Sequence, residues 1–306
     1  MLPFQLVYHE GYDLHLGDHI FPSQKYRLIR DRLLNEGIAE AEDFATPEPA
    51  SDDDLFLAHT KDWILRLKSG TLSFQEVLRL EIPYSRSIVE AFFLAAGGTT
   101  LACRLALRDG LAINIGGGFH HAFADHGEGF CAINDLAVAI RRLQWEGSVE
   151  RVMVADCDVH QGNGTAYIFA QDRNAFTLSI HQENNYPANK PPSDIDIGLA
   201  DHTSDGEYLD LLLQHYVLAL ESFRPQLVLY VAGADPYYLD QLGGLSLTMR
   251  GLKERDRLVV DRALRYGIPV AVTLAGGYAY ELSDTVSIHV NTVKVARESF
   301  EAARLI

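Results

Sequence analysis

Three cysteines in a chain of 306 residues, Cys103, Cys131 and Cys157, are too few for a disulfide framework, so a reducing compartment is expected. Basic charge is scarce as well: 26 Lys and Arg stand against 42 Asp and Glu, a formal net charge of −16. That balance argues against a nucleic-acid partner, which calls for a basic excess. It suits a basic substrate such as a lysine-bearing peptide or a polyamine, although many soluble proteins are acidic without such a reason. No Lys or Arg precedes Lys25, so the charged start of a secretory signal is missing. No run reaches the roughly 18 uncharged apolar residues that spanning a bilayer requires. These absences predict a cytoplasmic protein with no membrane partner. They leave the oligomeric state open.

Repeats, low-complexity tracts and Pro/Gly-rich linkers are also absent, so residues 1–306 read as a single domain. PFQLVYH opens as a strand. A helix is predicted from Ser23 to Asn35, with Ser23 as N-cap and Gly37 beyond its end. A second helical stretch is expected through DDDLFLAHTKDWILRLKSG, and a long buried helix over 87–109. From Leu111 onward short apolar strands alternate with helices in NDLAVAIRRLQWEG, GEYLDLLLQHYVLALESF, TMRGLKERDRLVVDRALRYG and SDTVSIHVNTVKVARESFEAARLI. Such alternation indicates an α/β fold with a parallel sheet covered on both faces. The stretch from Gln182 to Thr203 reads as the longest loop.

Five of the apolar runs end in polar clusters. LAINI leads to GGGFHHA with His120 and His121, and VMVA to DCDVHQGNG with Asp156, Asp158 and His160. FTLSIH carries Ser179 and His181, LVLYVAGAD brings Asp235, and VAVTLAGGY brings Tyr278. Ligands of open parallel sheets bind beyond the carboxyl ends of the strands, so the clusters converge on one edge. If DCDVH is extended, alternation points Asp156, Asp158 and His160 one way and Cys157 the other. A carboxylate and an imidazole two residues apart can chelate one ion with Asp235 as a third ligand, and two Asp and one His leave the open position of a catalytic metal. That geometry argues against Cys131 or Cys157 as a thiol nucleophile. Gly116, Gly117 and Gly118 permit the turn that lets adjacent histidines serve one site, and histidine is the usual general acid–base. Tyr278 offers a phenol for a developing oxyanion. Phe130 reads as a channel wall or a core aromatic. His59, His126, His202 and His215 read as helix or loop residues rather than ligands.

GGGFHHAFADHGEGFCAIND, DCDVHQGNGTAYIF, LSIH, AGADPYYLDQLGGLSLT and AGGY together resemble the zinc-dependent histone deacetylase and acetoin-utilisation family, from about residue 5 to about residue 300. GFCA, HQGNG and DQLGGLS are most similar to its class IV branch and bacterial members. The resemblance implies the arginase/deacetylase fold, a three-layer α/β/α domain around a parallel sheet of about eight strands. It implies Zn2+ on Asp158, His160 and Asp235, with Fe2+ an alternative because these ligands accept both. His121 would be the base for the zinc-bound water and then the acid for the leaving amine. His120 would assist electrostatically, oriented by Asp156, and Tyr278 would polarise the carbonyl. Gly129 would accept the substrate amide N–H, with Phe130, Tyr186 and Leu242 in the substrate channel. A structural K+ would sit among Asp156, Asp158, His160, Ser179 and Ile180.

One position departs from the class I pattern. Asn163 stands behind His121 where class I members have Asp, as in class II and class IV relatives. An amide there raises the His121 pKa less than a carboxylate does, so the acid limb of a pH–rate profile should move in Asn163→Asp. The loop at Tyr186-Pro187 lacks the Phe pair that narrows class I channels, which leaves acyl-chain length open. The expected activity is metal-dependent removal of acetyl or longer acyl groups from lysine or a related primary amine. Alternatives are an acetylpolyamine or small-metabolite deacetylase, a two-metal ureohydrolase on the same fold, and a non-catalytic acyl-lysine-binding protein. The Pro-Tyr-Tyr-Leu-Asp that follows Asp235 supplies no Asp-x-Asp pair for a second metal.

Overall fold

In the computed structural model, which describes residues 1–305, eight strands form one sheet. They are β1 (Gln5–Val7), β2 (Phe44–Ala45), β3 (Leu111–Asn114), β4 (Val152–Asp156), β5 (Ala175–Gln182), β6 (Ile195–Leu199), β7 (Leu227–Val231) and β8 (Val270–Thr273). Their order is β2-β1-β3-β8-β7-β4-β5-β6, and every neighbouring pair is parallel. The chain steps from β3 across to β4, then returns so that β7 and β8 fill the gap. β3, β4, β7 and β8 are buried along their whole length, which explains their unbroken apolar sequences. Register aligns the row Asn114, Thr273, Val231, Asp156 and Ser179. Everything chemical lies just beyond that row.

Helices cover the sheet in two groups. One contains α1 (Lys25–Asn35), α8 (Asp205–Phe223), α9 (Met249–Arg265) and α10 (Leu282–Ala303). The other contains α2 (Asp52–Leu55), α3 (Lys61–Ser69), α5 (Arg86–Asp109), α6 (Asp135–Trp145) and α7 (Asn163–Phe169). A further helix, α4 (Phe74–Leu80), lies between α3 and α5 in the chain. α5 is long and apolar enough to cross a bilayer, but 78% of its most apolar window is buried inside the protein, against α6, β3 and β8.

Several boundaries differ from expectation. Ser23 does not cap α1; its hydroxyl donates to Asp13 Oδ1 at 2.6 Å, and Gln24 precedes the first helical residue. The stretch from Asp52 splits into α2 and α3 because two caps compete within it. Ser51 forms a capping box with Asp54, and Thr60 accepts the Trp63 N–H. The Gln182–Thr203 loop contains the edge strand β6, whose exposed Asp196 and Gly198 disguise it. α4, which the sequence reading does not include, starts at a Ser73–Glu76 capping box. α7 begins at a glycine without a side-chain cap and carries no such signal. Of the final helix expected through Ile306, that last residue lies outside the described residues.

Candidate active site

DCDVH does not stay extended. β4 ends at Asp156, and two successive side-chain bonds then bend the chain. Asp156 Oδ1 accepts the Asp158 N–H at 3.1 Å, and Asp158 Oδ1 accepts the His160 N–H at 3.1 Å. Each is the local turn that an Asp makes with the backbone two residues on. The alternation expected of this segment is therefore corrected: bending, not pleating, brings Asp158 and His160 together. Asp156 goes a separate way, to His120.

Asp235 arrives from beyond β7. Its Oδ1 accepts the Val159 N–H at 2.9 Å, which ties the two loops together. One potential ligand atom each from Asp158, His160 and Asp235 lie within 4.8 Å of one another, all three residues buried. Asp235 Oδ2 is buried and has no hydrogen-bond partner, 3.5 Å from His160 Nδ1. A buried carboxylate oxygen without a donor is costly unless a cation satisfies it. Gly276, beyond β8, completes the cradle: a Cβ there would fall 2.1 Å from Asp235 Oδ2 and 2.5 Å from Asp158 Oδ2. Its N–H donates to Asp158 Oδ2 at 3.0 Å. This donor set fits a divalent transition metal with an open position.

The paired histidines follow β3. Gly117 and Gly118 have φ of +77° and +83°, a conformation that glycine adopts without a Cβ clash. The buried Asp135 at the start of α6 receives the Gly118 and Phe119 N–H groups at 2.9 and 2.7 Å. The side chains diverge to different partners. His120 Nδ1 lies 2.7 Å from Asp156 Oδ2, and His121 Nδ1 lies 2.7 Å from Asn163 Oδ1. Burial lowers the His120 pKa, but the Asp156 and Asp158 carboxylates outweigh it and raise it to about 9. Burial and the neighbouring His120 and His160 push His121 well below the usual histidine value. One ring is thus held as a cation and the other as a neutral base, a division of labour set by environment.

Tyr278 follows Gly277 on the β8 side. Burial and the Asp158 and Asp235 charges keep its phenol protonated, with a pKa well above the usual tyrosine value. Asp240 Oδ2 accepts the Tyr278 N–H at 2.7 Å, while its Oδ1 accepts those of Leu242 and Gly243. Asp240 therefore sets the loop that carries Tyr278, a role concealed within DQLGG. Lys25 was equally hidden. It is fully buried, donates to Ala275 O at 2.6 Å, and lies 5.7 Å from the centre of the Tyr278 ring.

A cavity of about 160 Å³ joins these groups. His120, His121, Asp158, His160 and Tyr278 face it, together with Gly129, Phe130, Tyr186 and Leu242. The Tyr186 ring meets His121 edge-on at 4.9 Å, and Phe130 faces the same cavity. Gly129 O accepts the Cys131 thiol at 3.2 Å and keeps a second lone pair. Burial raises the Cys131 thiol well above its usual pKa and that of Cys157 to about 12, so neither is a ready nucleophile. Ser179 and Ile180 lie on β5 beside Asp156, and Ser179 Oγ is 2.9 Å from His181 Nδ1. His59, His126, His202 and His215 contribute nothing to the three-residue cluster.

Known proteins resemble this chain in sequence and in shape. A family profile described as a histone deacetylase domain matches residues 19–293. The chain is 41% identical over 298 residues to an uncharacterized protein of Picosynechococcus sp., covering 97% of this chain and 99% of that one. It is 31% identical to histone deacetylase 2 of Arabidopsis thaliana, over 89% of this chain and 74% of that protein. The fold matches that of an HDAC homologue from Aquifex aeolicus with a TM-score of 0.81 at 23% identity, covering 95% and 83% of the two chains.

Proposed function

Because this chain belongs to the histone deacetylase family, and so to a group of hydrolases, we propose that it is a zinc-dependent deacylase. Its substrates in this reading are acetyl or longer acyl groups on lysine side chains or related primary amines. The carrying observation is that the Asp158, His160 and Asp235 cluster meets, through Asp158 and His160, the cavity that a neutral His121 and a protonated Tyr278 also line. Zinc held by those three residues would act as a Lewis acid on the acyl carbonyl and acidify the attacking water. His121, with Nδ1 engaged by Asn163, keeps Nε2 free to take a proton and return it to the leaving amine. Cationic His120 offsets negative charge as it develops, and the Tyr278 hydroxyl donates to the oxyanion. Gly129 O receives the substrate amide N–H, while Phe130, Tyr186 and Leu242 confine the chain that leads to it. The oxygen-rich surroundings of Asp156, Asp158, His160, Ser179 and Ile180 suit a structural potassium ion. Asn163 and the GFCA phrase support a class IV-like placement, and the sparse cysteine a cytoplasmic setting.

Acylated polyamines are a second reading, favoured by one observation. Glu81 faces the cavity, and its carboxyl pKa is raised by burial and then by Glu128. Glu81 and Glu128 also share an adjoining pocket, and two neighbouring acids favour a substrate with a further positive charge. The test is a panel of acyl-lysines and acylpolyamines of increasing chain length with the zinc-loaded enzyme. His121→Ala and Tyr278→Phe are expected to lower kcat by roughly 10²- to 10³-fold. Near-normal turnover in either variant refutes the assigned chemistry.

A further inference from the structure

Glu128 precedes Gly129 of the cavity wall, lines an adjoining pocket with Asn163 and Tyr186, and has no part in the chemistry above. Two donors from different segments converge on its Oε1: the Asn163 side-chain amide and, at 3.1 Å, the Tyr186 hydroxyl. His126 Nε2 lies 3.8 Å from Oε2. The backbone of Glu128 is fixed by an antiparallel bridge to Cys131, with N–H···O bonds of 3.1 and 2.9 Å. Asn163 is buried, and its opposite end, Oδ1, faces His121 Nδ1 at 2.7 Å.

An asparagine amide has a donor end and an acceptor end of nearly the same shape, exchanged by a half-turn about its last bond. A neutral imidazole nitrogen is likewise donor or acceptor according to tautomer. Asn163 and His121 alone can therefore pair in two ways. Only one leaves a lone pair on Nε2, where a base needs it. Glu128 removes the ambiguity because a carboxylate only accepts. We propose that Glu128 is a positioning residue: by accepting from the Asn163 amide it turns Oδ1 toward His121, which fixes the proton on Nδ1 and leaves Nε2 as the base. Burial alone would raise the Glu128 pKa, but the nearby His126 and donation from Asn163 and Tyr186 outweigh it and lower it, which keeps the carboxylate ionised.

This inference rests on the deacylase reading for its catalytic meaning, so the experiment reads the tautomer and the turnover separately. Glu128→Gln preserves shape but supplies a donor of its own, which frees Asn163 to turn. With histidine labelled in 15N, and the His121 signals identified by their loss in His121→Ala, NMR should show the Nδ1–H tautomer in the wild type. Glu128→Gln should shift it measurably toward Nε2–H. An unchanged tautomer overturns the proposal whether or not acyl-lysine is the substrate.

On an acyl-lysine substrate, Glu128→Gln should lower kcat about tenfold with KM within about twofold, because an outer partner acts through the residue it orients. A contact that only supports the Tyr186 wall would move KM instead, and that result counts against the proposal. Asn163→Asp places two carboxylates against each other. Combining it with Glu128→Gln lets the new amide donate to the new carboxylate, so the double variant should exceed both single variants in kcat. Losses that merely multiply overturn the idea. A wild-type enzyme inactive on the whole substrate panel refutes the deacylase reading, while the tautomer result still decides the role of Glu128.

Discussion

His59 accepts the Asn134 N–H at 3.0 Å through Nε2, a bond that requires the nitrogen to be unprotonated. Asn134 in turn caps α6 through Oδ1 and donates from Nδ2 to Ala122 O and Thr165 Oγ1, each at 3.0 Å. The segment carrying His120 and His121 is thus anchored by a histidine that never reaches the cavity. Burial lowers the His59 pKa to about 4. The sign follows directly. The folded value lies below the unfolded one of about 6.5, so the stabilisation is present above that pH and is lost as pH falls toward 4. Between pH 7 and pH 5 this one group should cost about 2 kcal/mol of folding stability. Urea unfolding at both pH values should show a smaller loss in His59→Gln than in the wild type, and equal losses would remove His59 from the account. The sequence reads His59 as a helix or loop residue rather than a ligand. It gives no sign of this bond, because the partner lies 75 residues away.

Among elements, the strand ends were legible because a buried parallel strand writes itself as a short apolar run, and the polar residues after it have few other uses. What escaped notice lay where polarity had two meanings. β6 was lost among Asp and Pro because an edge strand exposes half its residues. Asp135 and Asp240 look like ordinary helix-start and turn residues, yet each carboxylate collects backbone N–H groups from a loop of the site. Arg255 of α9 is the clearest case. It sits in an amphipathic helix that reads as half solvated, but it is fully buried. Its Nη1 donates to Cys157 O at 3.1 Å and Gly233 O at 2.6 Å, the carbonyls just before the Asp158 and Asp235 turns. Asp256 balances its charge and receives the Tyr230 and Thr292 hydroxyls, each at 2.6 Å. Arg255→Met should destabilise by about 3–5 kcal/mol, because it strands a buried carboxylate. Adding Asp256→Asn should recover about 1 kcal/mol or more of that loss in urea unfolding. If the double variant is as unstable as the single one, the cost lies in packing and not in charge.

At the scale of the molecule, the sheet order places β3, β8, β7 and β4 side by side, so four strand ends separated by up to 159 residues in the chain deliver one site. The fold class followed from strand–helix alternation alone, whereas the insertion of β7 and β8 between β3 and β4 has no local signature. The cluster carries a consequence for the whole chain, because its three members come from two of those strand ends and are bridged to a third by Gly276. A cation that binds only the assembled site stabilises the folded state by mass action, about 2.7 kcal/mol when its concentration is one hundred times Kd. Zinc should therefore raise Tm by several degrees in proportion to the logarithm of its free concentration, and a chelator should reverse the gain. Elemental analysis should find one transition metal per chain, since the described residues contain one such three-residue group. Two transition metals would favour the ureohydrolase chemistry instead. Asp235→Asn removes the carboxylate whose Oδ2 has no protein partner, so it should abolish the zinc-dependent rise in Tm while sparing the metal-free Tm. A variant that keeps the full rise would show that the stabilising ion sits elsewhere.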